Sequence, residues 1–170
     1  MSYKNIFLLI LAGFFYPAQW LAAAPPPTPA VPMINLTFGK VAVFDEELEA
    51  NRWGIEYRFR PFGKYDLIPA IGYAFSEDDD SFFYTDLRYD YWLNDRWVLI
   101  PSLGVGVFTD GKKLDLGNDL EFRSGVELAY RFDNNYRAGV ALFHLSNASL
   151  SDDNPGTEAL VFSLSIPLKK

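Results

Sequence analysis

Between positions 51 and 59 the chain reads Asn51-Arg52-Trp53-Gly54-Ile55-Glu56-Tyr57-Arg58-Phe59, and its alternate residues belong to two different chemistries. Successive side chains of a strand point to opposite sides, so Trp53, Ile55, Tyr57 and Phe59 share one face, while Arg52, Gly54, Glu56 and Arg58 share the other. The pattern recurs further along. Leu120, Phe122, Val126, Leu128, Tyr130 and Phe132 stand against Glu121, Arg123, Gly125, Glu127 and Arg131, and Leu87, Tyr89, Tyr91 and Leu93 stand against Asp86, Arg88 and Asp90. A soluble sandwich would have to turn every apolar face inward and crowd large aromatics from nearly all its strands into one core. A membrane barrel inverts the arrangement, with aromatics against lipid and paired charges filling a narrow lumen.

From Met33 onward no segment keeps a 3.6-residue period, and period-two stretches recur between clusters of turn residues. Strands are expected at about 33–44, 51–60, 66–76, 82–93, 96–108, 119–132, 136–146 and 158–168. Each is near the ~10 residues that a tilted bilayer-spanning strand needs. The fold class is therefore all-β: an eight-stranded antiparallel transmembrane β-barrel. With both termini on the periplasmic side, the loops at about 45–50, 77–81, 109–118 and 147–157 face outward, and the short turns at Asn94-Asp95 and Asp133-Asn134-Asn135 lie at the periplasmic end. Eight strands leave a lumen only wide enough for side chains, which argues against a passive pore.

The rest of the chain fits this frame. Lys4, the apolar run from Ile6 to Tyr16 and the small residues Ala22-Ala23-Ala24 read as a signal peptide over 1–23, cleaved on the way to the bacterial outer membrane. A Pro-rich spacer follows over 24–32, and the barrel occupies 33–170. Of the 170 residues 49% are apolar and 17% aromatic, which excludes disorder, and with no cysteine there is no disulfide scaffold. A net charge of −7 gives no electrostatic footprint for nucleic acid. One histidine cannot build a multi-histidine metal site, and no cofactor or metal is expected.

Chemistry concentrates in the last two strands. Val140, Leu142, His144 and Ser146 share a face, as do Glu158, Leu160, Phe162, Leu164 and Ile166, and both series face lipid. The single histidine, a serine and a carboxylate thus sit on the outer wall near an outward loop, where polar groups are costly unless they pair. These residue types suit acyl transfer. A serine hydroxyl needs an imidazole to take its proton, and a carboxylate fixes the imidazole's tautomer. Ser146 lies two residues from His144, Glu158 is expected to reach the ring diagonally across the hairpin, and the amide of Asn147 could serve an oxyanion. On pattern alone an interfacial histidine bonded to a neighbour stays open as the other reading.

The segment His144-Leu145-Ser146-Asn147-Ala148, with Glu158 fourteen residues after the histidine, resembles the carboxy-terminal signature of the outer-membrane lipid A 3-O-deacylases, the PagL family. The architecture of a small barrel with a signal peptide also matches, although specific motifs are confined to the last thirty or so residues. The resemblance implies a serine esterase that removes the ester-linked 3-hydroxyacyl chain at position 3 of lipid A. His144, Ser146 and Glu158 match the family's triad, and Asn147 matches its asparagine associated with the oxyanion hole. The implied partner is lipid A, or lipopolysaccharide, of the outer leaflet. In one departure, this chain ends Pro167-Leu168-Lys169-Lys170, where outer-membrane barrels commonly carry a terminal aromatic.

Two other readings are weighed against this one. A noncatalytic barrel with a structural or adhesion role would have no reason to cluster His144, Ser146 and Glu158. A membrane acyltransferase would need an acceptor site that the sequence does not offer. The run Glu77-Asp78-Asp79-Asp80 could hold a divalent cation but is expected to be a solvated acidic loop, and Lys112-Lys113 an ordinary exposed loop. Gly104 and Gly106 are expected to face the lumen, and Arg58, Asp86, Arg88, Asp90, Glu121, Arg123 and Glu127 to form a structural ion-pair network.

Overall fold

The computed structural model describes residues 31–168. The expected signal peptide, all of the spacer but its last two residues, and Lys169 and Lys170 lie outside the described residues. The chain forms strands β1 (Met33–Val41), β2 (Ala50–Arg58), β3 (Ile68–Ser76), β4 (Ser81–Arg88), β5 (Tyr91–Trp92), β6 (Trp97–Thr109), β7 (Leu120–Arg131), β8 (Arg137–Ser146) and β9 (Thr157–Pro167). β4 and β5 both pair with β6 and are one stave interrupted at Tyr89 and Asp90. Eight antiparallel staves result. β1 pairs with both β2 and β9, and the β4–β6 pairing closes the ring, so no sheet edge is left unpaired.

The two faces divide as the alternation requires. Trp53, Leu87 and Phe122 are exposed on the outer wall, Tyr57, Tyr91 and Tyr130 are half-buried there, and Arg52, Glu56 and Arg58 are buried inside. Outside, Trp53 packs between Phe38 and Phe75 at ring-centroid distances of 5.7 and 5.8 Å. Inside, Glu56 accepts from Arg58 at 2.7 Å, from Arg88 at 2.6 Å and from the Tyr84 hydroxyl at 3.0 Å. Glu127 accepts from Arg58 at 2.6 Å and from Ser163 at 2.7 Å, and Asp86 joins Arg88 to Arg123. Buried charges of this network survive because they have opposite partners and further hydrogen bonds. Glu121, expected among them, does not join: it is fully buried and neither carboxyl oxygen has a hydrogen-bond partner among the described residues. Gly104 lies opposite Asp86 and faces the lumen as expected, for a Cβ there would overlap the aspartate oxygen.

Three boundaries differ from expectation. β1 ends at Val41, not near 44, because Ala42 takes a positive φ of 55° and starts a turn that the Asp45 N–H closes onto its carbonyl. The 59–67 connection at the short-turn end is longer than the 77–80 loop, and an isolated Phe62–Leu67 bridge folds it into a small hairpin. The 110–119 connection is not an ordinary exposed loop. Its Leu114 and Leu116 are buried against Phe82, Phe108 and Leu145 and cap the lumen beneath the end that carries loop 147–156.

Candidate active site on the outer wall

Register puts His144 of β8 directly opposite Glu158 of β9, and Nδ1 of the imidazole lies 3.1 Å from the Glu158 Oε1. The carboxylate is thus a straight cross-strand neighbour, where a diagonal reach had been expected. Both side chains are 25% exposed, and they stand on the outer wall near the end that carries loop 147–156. Their parity makes them outward, and their strand neighbours pack inward. Phe143, Leu145, Ala159 and Val161 are all buried inward, and the Arg123 guanidinium stacks on the Phe143 ring at 3.6 Å.

Ser146 shares the outward face of β8 and is half-buried. Its hydroxyl makes no hydrogen bond among the described residues. A second serine, which the sequence reading missed, lies opposite His144 on the other side: Ser124 of β7 is its register partner and is nearly buried. The outward alternation of β7 contained the signal, since Ser124 interrupts the apolar series between Phe122 and Val126.

Asn147 is placed otherwise than expected. Being one residue beyond an outward serine it turns inward, is fully buried, and its Nδ2 donates to the Leu116 carbonyl, the Ser151 hydroxyl and the Asp153 carbonyl at 3.2, 2.8 and 2.8 Å. The carboxamide is consumed in building the loop and has no donor left for an outward oxyanion. The Asn147 N–H goes to Asn154 Oδ1, the Ser149 N–H to Asn147 Oδ1 and the Leu150 N–H to the Asn147 carbonyl. Of the main-chain N–H groups at 147–150, that of Ala148 has no acceptor among the described residues. Ala148 and Ser149 both take positive φ, 53° and 64°, so the chain reverses tightly there.

Gly156 is a further residue that the sequence reading missed. Its φ is +65°, and a Cβ built on it would stand 3.1 Å from His144 Cε1. The glycine therefore admits the imidazole edge, and Asn154-Pro155-Gly156 was legible only as turn chemistry.

The acidic run is spent elsewhere. Glu77 accepts from the Asn51 N–H and from Asn51 Nδ2, both at 3.0 Å, and these bonds hold its carboxyl below the ordinary glutamate value. Asp79 pairs with Lys112 at 2.7 Å, whose ammonium is held above its ordinary value by that bond, and Asp78 lies 3.5 Å from Lys113. Asp80 is buried on Arg52 at 2.9 Å and also accepts from the Ser76 hydroxyl.

A crystal structure of the outer-membrane enzyme PagL is similar at 19% identity and a TM-score of 0.61, over 80% of this chain and 99% of that one. A designed transmembrane β-barrel is similar at 14% identity and a TM-score of 0.58 (84% and 100% covered), as is Neisserial surface protein A at 11% and 0.55 (83% and 98%). These likenesses show the barrel fold. No curated protein matches the chain. The family model for lipid A 3-O-deacylase (PagL) matches residues 53–167, the span that carries six whole staves, most of β2 and the whole His144–Glu158 hairpin. The chain belongs to the lipid A 3-O-deacylase (PagL) family of outer-membrane β-barrels.

Proposed function

We propose that the protein is a serine esterase that hydrolyses the 3-O-linked 3-hydroxyacyl chain of lipid A, with Ser146 as nucleophile, His144 as general base and Glu158 as its orienter. The observation that carries the reading is the 3.1 Å contact between His144 Nδ1 and Glu158 on the outer wall. A carboxylate on Nδ1 fixes the tautomer in which Nε2 is the base, and rotation of the Ser146 side chain brings its hydroxyl to that nitrogen when substrate is held. The Ser146 oxygen then attacks the ester carbonyl, and its proton passes to His144. The oxyanion is assigned to the Ala148 N–H, with Asn147 shaping the turn that presents it. Collapse of the tetrahedral intermediate breaks the bond to the sugar oxygen, which takes the proton from His144. Water, activated by the same imidazole, releases the free 3-hydroxy fatty acid and restores the serine.

Membership in the family and the paired His144 and Glu158 favour this reading over a noncatalytic barrel. The experiment is mass spectrometry of lipid A from cells expressing the wild type, Ser146→Ala, His144→Ala or Ser124→Ala. Loss of the ester-linked chain at position 3 is expected for wild type and Ser124→Ala. For Ser146→Ala and His144→Ala the rate should fall by about 10^4-fold or more, with barrel assembly intact. Near-normal turnover by Ser146→Ala would overturn the nucleophile, and loss of activity only in Ser124→Ala would move it across the ladder.

A further inference from the structure

The barrel end away from loop 147–156 encloses a cavity of about 260 Å³ whose wall includes Arg58, Arg88, Arg131, Arg137, Asp90 and Trp92. Four guanidinium groups and one carboxylate is an unusual lining, and tracing each charge to its partner isolates the excess. Arg58, Arg88 and Arg123 are matched by Glu56, Asp86 and Glu127 in the lumen network, and Arg137 pairs with Asp90 at 2.7 Å. Arg131 pairs with no carboxylate among the described residues. Its Nε and Nη2 donate to the Asp95 carbonyl and its Nη1 to Asn135 Oδ1, all neutral acceptors. Among the described residues, one positive charge is therefore uncompensated at a half-enclosed mouth.

Donors are in surplus there as well. Arg88 is 1% exposed, and its Nε and Nη1 are buried with no hydrogen-bond acceptor, as is Nε of Arg137. Such N–H groups are costly to bury unless something accepts from them. Arg131 and Arg137 both lie over the Trp92 ring, at 5.7 and 5.1 Å, so two like charges are held at one indole when mutual repulsion would separate them. A planar guanidinium fork suits an oxygen-rich anion better than a halide, because two parallel N–H groups match two oxygens of one group.

We propose that this cavity is a binding site for a compact oxyanion, specifically a phosphate group, held by Arg88, Arg131 and Arg137. The phosphate can come free from solution or as the phosphomonoester head of a lipid at that end of the barrel. Its site lies at the opposite end of the barrel from His144 and Glu158 and does not depend on the deacylase reading.

The test uses the full barrel refolded in zwitterionic detergent micelles, with calorimetric titration of sodium phosphate against sodium chloride of equal ionic strength. A second arm titrates micelles doped with phosphatidic acid. Saturable binding of inorganic phosphate, or of phosphatidic acid alone, supports the site, the first assigning it to the free ion and the second to a lipid head. Arg131→Gln and the charge-balanced Arg137→Gln/Asp90→Asn variant should each weaken binding at least tenfold, whereas Arg96→Gln, which loses an exposed pair with Asp133 and a contact with the Tyr130 ring at the same end, should not. Arg131→Lys keeps the charge but not the fork and should fall between, which keeps the test open if Arg131→Gln fails to assemble. No saturable heat in either arm, or affinity unchanged in both the Arg131→Gln and Arg137→Gln/Asp90→Asn proteins, would overturn the proposal.

Discussion

Gly156 is where a single added carbon would meet the imidazole of the candidate site. Its φ of +65° is one that L side chains adopt at a cost of roughly 1–2 kcal/mol, and its missing Cβ leaves room for the imidazole edge of His144. Gly156→Ala is expected to do two separable things: lower stability by about that amount and displace the His144 ring from Glu158. Deacylation should fall by far more than the stability loss explains, and a chemical-shift change at the single histidine should report the displacement. A Gly156→Ala protein with full activity would show that the ring does not depend on the space left at Gly156. Ser146 and His144 were legible in sequence because parity alone sets the face of neighbouring residues on one strand. Parity also turns Asn147 inward, and its expected outward carboxamide was placed by chemistry and not by direction, because it sits beside a candidate nucleophile.

At the scale of the element, the loop 147–156 is organised by one side chain. Asn147 donates to acceptors in three residues, among them the carbonyl of Leu116 in a different loop, and Leu116 is itself fully buried. Removing a buried donor that satisfies several acceptors costs about 1–3 kcal/mol. Asn147→Ala should therefore loosen both loops together, raising proteolytic nicking within 110–119 and 147–156 while the strands stay protected, and should abolish turnover. Cleavage confined to 147–156 would mean that the two loops are not coupled. This coupling could not be read from sequence, since it joins residues 31 positions apart through a contact that carries no local pattern. The direct pairing of Glu158 with His144 was hidden for the same reason: register across the hairpin depends on how ten loop residues fold, and strand periodicity does not report it.

Over the whole molecule, stability rests on charges that have exchanged water for one another. Glu56 serves Arg58, Arg88 and Tyr84 at once and is 2% exposed, so Glu56→Gln leaves two guanidinium groups short of a partner. A loss of about 3–5 kcal/mol is expected, read as a lower denaturant midpoint for unfolding in micelles. Lys40→Gln, which breaks an ion pair with Glu49 on the exposed rim, should cost under ~1 kcal/mol. Equal midpoints for the two variants would contradict the division of roles. The eight staves and their inverted faces were legible because one rule, apolar out and charged in, holds along nearly every strand. The break between β4 and β5 was not, because the alternation runs through Tyr89 and Asp90 while Asp90 is drawn to Arg137 across the lumen.

A plugged interior with His144 and Glu158 on the lipid-facing side has a kinetic consequence. A reactant meets such a site by lateral diffusion within a film, so the variable that governs rate is its mole fraction in that film and not its concentration in the tube. Diluting lipid A with inert detergent, at constant amounts of lipid A and protein, should slow hydrolysis in proportion to the falling surface fraction, and restoring the fraction by removing detergent should restore the rate. A rate indifferent to surface dilution would mean that the substrate reaches the candidate site from water.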